Sequence, residues 1–78
     1  MQQLLSVVLH RHEDTLLRLA GLCYRRGVPI ESLAYFAADR PDQVKVQAVL
    51  ACEQAAALQL QRQVSKLIDV VSTEIVPN

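Results

Sequence analysis

Leu5, Val7 and Leu9 alternate with less apolar neighbours in a short run, and this period of two predicts a strand over residues 4–9. His10-Arg11-His12-Glu13-Asp14 then reads as a polar loop, with Asp14 placed to cap the next element by accepting from first-turn N–H groups. The period becomes helical over 15–26, where Leu16, Leu19, Ala20 and Cys23 fall at i, i+3, i+4 and i+7 and make one apolar stripe. Arg25 and Arg26 stand in the last turn, where cations face the negative end of the helix dipole. Gly27 can take the left-handed conformation that ends a helix, and Pro29 forbids continuation.

Residues 30–38 read as a second strand, with Ile30, Ser32, Ala34 and Phe36 on one face and Leu33, Tyr35 and Ala37 on the other. Pro29 has no N–H to donate to a ladder, so this strand is expected at a sheet edge. Asp39-Arg40-Pro41-Asp42-Gln43 is a turn, and residues 44–51 alternate again, with Val44, Val46, Ala48 and Leu50 facing inward. The two runs form a hairpin. A second helix is predicted over 53–68, with Ala57, Leu60, Val64, Leu67 and Ile68 on its apolar face, and a last strand over 70–76. The order β-α-β-β-α-β predicts a single α+β domain over residues 1–78. It is a ferredoxin-like sandwich, in which two helices cover one face of a four-stranded antiparallel sheet. Many unrelated functions use this arrangement, so the fold alone decides nothing about activity.

Composition narrows the function classes. Eight Lys+Arg balance eight Asp+Glu, which argues against a partner bound through phosphate neutralisation and against a polybasic membrane anchor. No nucleic acid or membrane partner is expected. The start of the chain lacks a basic segment before its short apolar run, so a cytoplasmic protein is expected. Cys23 and Cys52 have no CxxC spacing and sit in apolar runs, which reads as inert, reduced packing. A chain of 78 residues that is 51% hydrophobic has apolar surface to spare, and oligomerisation is expected to bury it.

Candidate chemistry is sparse. His10 and His12 with Glu13 and Asp14 could approach a metal, but a closed zinc site wants four ligands and no thiolate lies near them in sequence. A solvated loop is the better reading, and no metal site is expected. Gly21 and Gly27 are the chain's two glycines, so there is no glycine-rich phosphate loop. Residues 10–14 contain no glycine and are acidic, unlike an anion-cradling loop. The third strand has no aromatic side chain for stacking on bases. No catalytic residue is assigned. Arg25 and Arg26 are explained by dipole and solubility, and they are also candidates to bind a partner's carboxylate or phosphate.

Two segments resemble a known family. "LLRLAGLCYRRGVPIESL" (residues 16–33) resembles the ACT domain of acetolactate synthase small regulatory subunits, in which a first helix ends in a basic pair and glycine and runs into an N-I-E-S-L-like strand. "QVSKLIDVV" (residues 63–71) is similar to that family's Q-L-x-K-L-x-D-V helix end and final strand. The resemblance covers residues 7–76. It implies a non-catalytic small subunit in branched-chain amino acid biosynthesis, of the short single-domain form. Its catalytic large subunit would carry thiamine diphosphate, FAD and magnesium, leaving no cofactor in this chain. It also implies a homodimer through the second strand and first helix. The alternatives are a free-standing amino-acid sensor or regulator of another enzyme, and, third, a small enzyme.

The resemblance further implies an amino-acid effector site at Arg11, Asp14, Thr15, Leu16, Pro29 and Ile30. The family's loop reads like N-x-P-G-V-L, and here Asp14 replaces its glycine, while Pro29 replaces the asparagine before I-E-S-L. "EDTL" (residues 13–16) is similar instead to the isozyme II type, which implies activation with weak or no valine feedback.

Overall fold

The computed structural model describes residues 2–11, 14–67 and 70–77. The elements run β1 (Gln2–His10), α1 (Thr15–Arg25), β2 (Ile30–Ala37), β3 (Gln43–Ala51), α2 (Gln54–Ser65) and β4 (Val70–Pro77). The sheet order is β2-β3-β1-β4, with every neighbouring pair antiparallel. This is the expected ferredoxin-like arrangement, with β2 at an edge. Pro29 sits just ahead of that edge strand, and its carbonyl accepts the Ala51 N–H at 3.0 Å.

Register shows which residues share a face. Leu5, Val7 and Leu9 stand opposite Ala48, Val46 and Val44, and all six are buried. Leu19, Leu22 and Cys23 of α1 and Leu60 and Val64 of α2 pack onto this face, so both helices cover the same side. Leu22 was not in the predicted stripe, although it joins the core. Gln3 also lies on this face, opposite Leu50, and its side-chain Oε1 is buried without a hydrogen-bond partner. An unpaired buried carbonyl costs free energy that an apolar chain of the same shape avoids. Gln3→Met is therefore expected to raise stability by roughly 1 kcal/mol, seen as a higher urea midpoint with an unchanged slope. A lower midpoint would show that the amide is satisfied.

Strict alternation in β2 does not hold at its start. The register slips between Ile30 and Ser32, so Ile30 pairs with buried Leu50 while Leu33, Tyr35 and Ala37 pair with buried Ala48, Val46 and Val44. Ile30 thus shares the helix-covered face with Leu33, Tyr35 and Ala37, not with Ser32, Ala34 and Phe36. A bulge adds one residue to one strand and so inverts the parity beyond it.

α2 ends at Ser65, three residues earlier than predicted. The Ser65 hydroxyl donates back to the Gln61 carbonyl at 2.9 Å, and the N–H groups of Lys66 and Leu67 reach only to Gln63 and Val64. These i→i−3 bonds tighten the last turn and close the helix without a glycine. Leu67 still packs against the core from that turn. Ile68 lies outside the described residues.

Gly27 closes α1 as expected, with φ +68°. Its N–H donates to the Tyr24 carbonyl and the Val28 N–H to the Cys23 carbonyl, each at 3.0 Å. This is the paired-bond arrangement of a Schellman motif, and buried Val28 and Cys23 supply its apolar contact. No heavy atom would meet a Cβ at Gly27, so only the backbone conformation demands glycine there. Gly27→Val is expected to cost roughly 1–3 kcal/mol through the strained positive φ. Thermal unfolding would show it, and an unchanged melting temperature would contradict the assignment.

Candidate functional site

The end of the domain that carries the N-terminus of α1 is tied to the β2–β3 turn, since the Arg11 N–H donates to the Asp42 carbonyl at 2.7 Å. Asp14 stands at the N-cap position, but its side chain does not cap the helix. With φ −105° and ψ 17° it lacks the extended conformation that lets a carboxylate fold back over the first turn. The carboxylate instead accepts from Arg18 Nε at 3.0 Å, one helical turn on. Leu16 packs partly buried against the core.

The six positions that the family resemblance marked for an effector do not meet within one chain. Arg11, Asp14, Thr15 and Leu16 gather at the start of α1, and Pro29 and Ile30 follow its end. An eleven-residue helix separates the two groups by about 16 Å. Beside Pro29, a small apolar cleft of about 270 Å³ is lined by Tyr24, Gly27, Val28 and Pro29.

Arg25 and Arg26 are exposed at the C-terminal end of α1. With Leu22 and Gln63 they line a cleft of about 390 Å³ between the two helices. Gln63 was not singled out from the sequence. It lies on the far wall of a site whose other wall is about forty residues earlier, and no local pattern marks such a pairing.

Exposed large apolar side chains lie on both α1 and β2. On α1, Leu17 and Tyr24 are 75% and 85% exposed, and on β2, Leu33 and Tyr35 are 43% and 42% exposed although they point to the helix-covered face. Leu17 and Tyr24 are seven residues apart and off the core stripe, a signal that the sequence carried.

The remaining sequence candidates are quickly placed. His10 ends β1, with Nδ1 3.8 Å from the Asp42 carboxylate. His12 and Glu13 lie outside the described residues. Cys23 is buried and Cys52 half-buried, both as free thiols. Burial pushes both thiols above the ordinary cysteine range, which disfavours the reactive thiolate. Among the described residues, no helix is long and apolar enough to cross a membrane.

Known proteins share both sequence and fold with this chain. Acetolactate synthase small subunits of Mycobacterium avium and Mycobacterium bovis are each 37% identical over 67 residues, covering 86% of this chain and 40% of theirs. The chain therefore spans about 40% of the length of these curated relatives. The crystal structure of the Thermotoga maritima acetolactate synthase small subunit superposes with a TM-score of 0.90 at 22% identity, over 99% of this chain and 48% of that one. An ACT domain from the GTP pyrophosphokinase of Chlorobium tepidum superposes with a TM-score of 0.79 at 12% identity, over 97% of each. At such identities these two structures speak for the fold alone. The sequence profile of the ACT domain matches residues 11–73. Because that match spans most of the chain, and the sheet order and helix placement agree with it, the chain belongs to the ACT-domain family.

Proposed function

We propose that this protein is a non-catalytic small subunit of acetolactate synthase, which pairs with itself and activates a catalytic large subunit in the cytoplasm, within branched-chain amino acid biosynthesis. The observation that carries the reading is the 37% identity to acetolactate synthase small subunits over 86% of the chain. On this reading thiamine diphosphate, FAD and magnesium belong to the large subunit. The test is co-expression of tagged chain with an acetolactate synthase large subunit from the same organism. Retention of that subunit and faster acetolactate formation are expected. Retention of a different enzyme would favour a regulator of another pathway, and turnover by the chain alone would favour an enzyme.

Self-pairing is supported by the contrast between the two sheet edges. Each outer strand carries one register slip and one charged residue, Glu31 on β2 and Glu74 on β4, but β4 also ends in Pro77, which discourages pairing there. From Ser32 to Ala37, β2 has no charge and no proline. Exposed Leu33 and Tyr35 lie on this strand, and exposed Leu17 and Tyr24 on the helix that precedes it. A two-fold pairing of β2 strands would bury these and make one eight-stranded sheet. It would also bring Pro29 and Ile30 of one copy toward the end of the other that carries Arg11 and Asp14, which a single chain keeps apart.

That joined site is a poor one for valine. Asp14 fills the place of a glycine with a side chain already engaged by Arg18, and its charge repels an incoming carboxylate. Pro29 offers no N–H and no side-chain amide. No calorimetric signal for valine in the micromolar range and no inhibition of the reconstituted enzyme are expected. A micromolar affinity would refute this.

A further inference from the structure

Arg25 and Arg26 are not occupied by the helix end they follow. Backbone N–H groups take the last-turn carbonyls of α1: Arg26 donates to Leu22 at 3.1 Å, Gly27 to Tyr24 and Val28 to Cys23. Among the described residues, neither guanidinium has a hydrogen-bond or ion-pair partner. A cation that merely completed a helix end would be expected on those carbonyls.

Their position gives them a common target instead. They follow Leu22 by three and four residues, and these are the spacings that place side chains over one another on a helix. Leu22 itself is 7% exposed and forms an apolar floor. Gln63 of α2 lines the far side, and the open cleft of about 390 Å³ is of small-ligand size. Among the described residues, no acidic side chain lines it. Two arginines and one glutamine thus border a single cleft with an apolar base, which suits a planar, bidentate acceptor on an alkyl stem. The partial negative charge at the end of α1 lies close by and opposes a compact dianion such as phosphate more than a single carboxylate. The cleft opens between α1 and α2, whereas the exposed Leu17 and Tyr24 lie off that side of α1. Pairing through β2 therefore leaves it free.

We propose that the Leu22–Arg25–Arg26–Gln63 cleft is a carboxylate-binding site that receives glutamate or aspartate side chains from an acidic segment of the catalytic large subunit. The identity of that partner rests on the function proposed above, while the anion site does not. The methylene stem of a glutamate would lie on Leu22, and its carboxylate would take the two arginines. Arginine provides geometry as well as charge, so lysine at both positions should restore binding only in part.

Two measurements test this. First, the full chain alone is titrated with glutarate, and separately with inorganic phosphate, by following the Arg25 Nε, Arg26 Nε and Gln63 Nε2 signals by NMR. Saturable shifts with glutarate, weaker shifts with phosphate, and loss of both in the R25Q/R26Q double variant are expected. No saturable glutarate shift overturns the site, and tighter phosphate binding overturns the carboxylate assignment. Second, the double variant is titrated against the large subunit. Roughly tenfold weaker association with a flatter salt dependence is expected, at an unchanged melting temperature, with partial recovery in R25K/R26K. Glutarate binding combined with unchanged large-subunit affinity overturns the partner assignment and leaves a small-anion site. If the wild-type chain retains no large subunit, the proposed function fails, and the glutarate titration still decides the cleft.

Discussion

Leu33→Asp combined with Tyr35→Asp is expected to convert the proposed dimer to a monomer at micromolar concentration, with the fold intact. Both side chains point to the helix-covered face of β2, yet they remain 43% and 42% exposed because they lie on the edge strand. They stand near the middle of β2, so a two-fold axis through that edge sets each close to its own copy. The proposed pairing would bury apolar surface there. The double variant places four carboxylates in the same space, where like charges across paired strands repel. The expected loss in affinity is at least roughly 100-fold, or about 3 kcal/mol. Sedimentation reads the outcome, and far-UV circular dichroism confirms the fold. Leu58→Asp, on the exposed side of α2, is the control that should remain dimeric. A monomeric wild type removes the interface, and a dimeric double variant moves it elsewhere.

Leu60→Ala is expected to be the most destabilising single truncation on α2. Leu60 is 1% exposed and packs in the core with Val64 and the inner face of the sheet. Cutting it to alanine loses the transfer free energy of its carbons and leaves a cavity, about 2–5 kcal/mol together. For a domain this small that is much of the total stability. Leu58 lies two residues earlier, is 40% exposed, and should tolerate alanine within about 0.5 kcal/mol. Urea unfolding of the two variants measures the contrast. Equal losses would mean that α2 is rotated from the position described here, and a small loss at Leu60 would mean that the core closes over the gap.

The contrast between Leu58 and Leu60 was legible in the sequence, because a helix's buried side follows from its own period. The alternation of Val44, Val46, Ala48 and Leu50 likewise predicted the inner face of β3, since all four are at most 1% exposed. Gly27 announced a left-handed helix end, and φ +68° agrees. These signals are local. Each depends on steric limits or on solvent partition within a few residues, so any neighbours in space would read them the same way.

Other features depend on which distant residues become neighbours. Ile30 changes face because β2 must fit a bulge to β3, and its own alternation carries no trace of that slip. Asp14 looked like a cap, but its backbone angles and a nearby Arg18 turn its carboxylate to an ion pair. The end of α2 was extended too far because Leu67 keeps the apolar period while already in a turn. Gln3 lies before the strand expected over 4–9, yet the register of β1 carries it to the core. The effector positions fell into two groups because a helix of fixed rise lies between them, and Gln63 met the arginines only when the two helices packed side by side. Sequence by itself determined the elements, their order, the core faces of β1 and β3 and the close of α1. Tertiary structure alone decided register and the sharing of sites between elements, because those are set by long-range packing that no local spacing encodes.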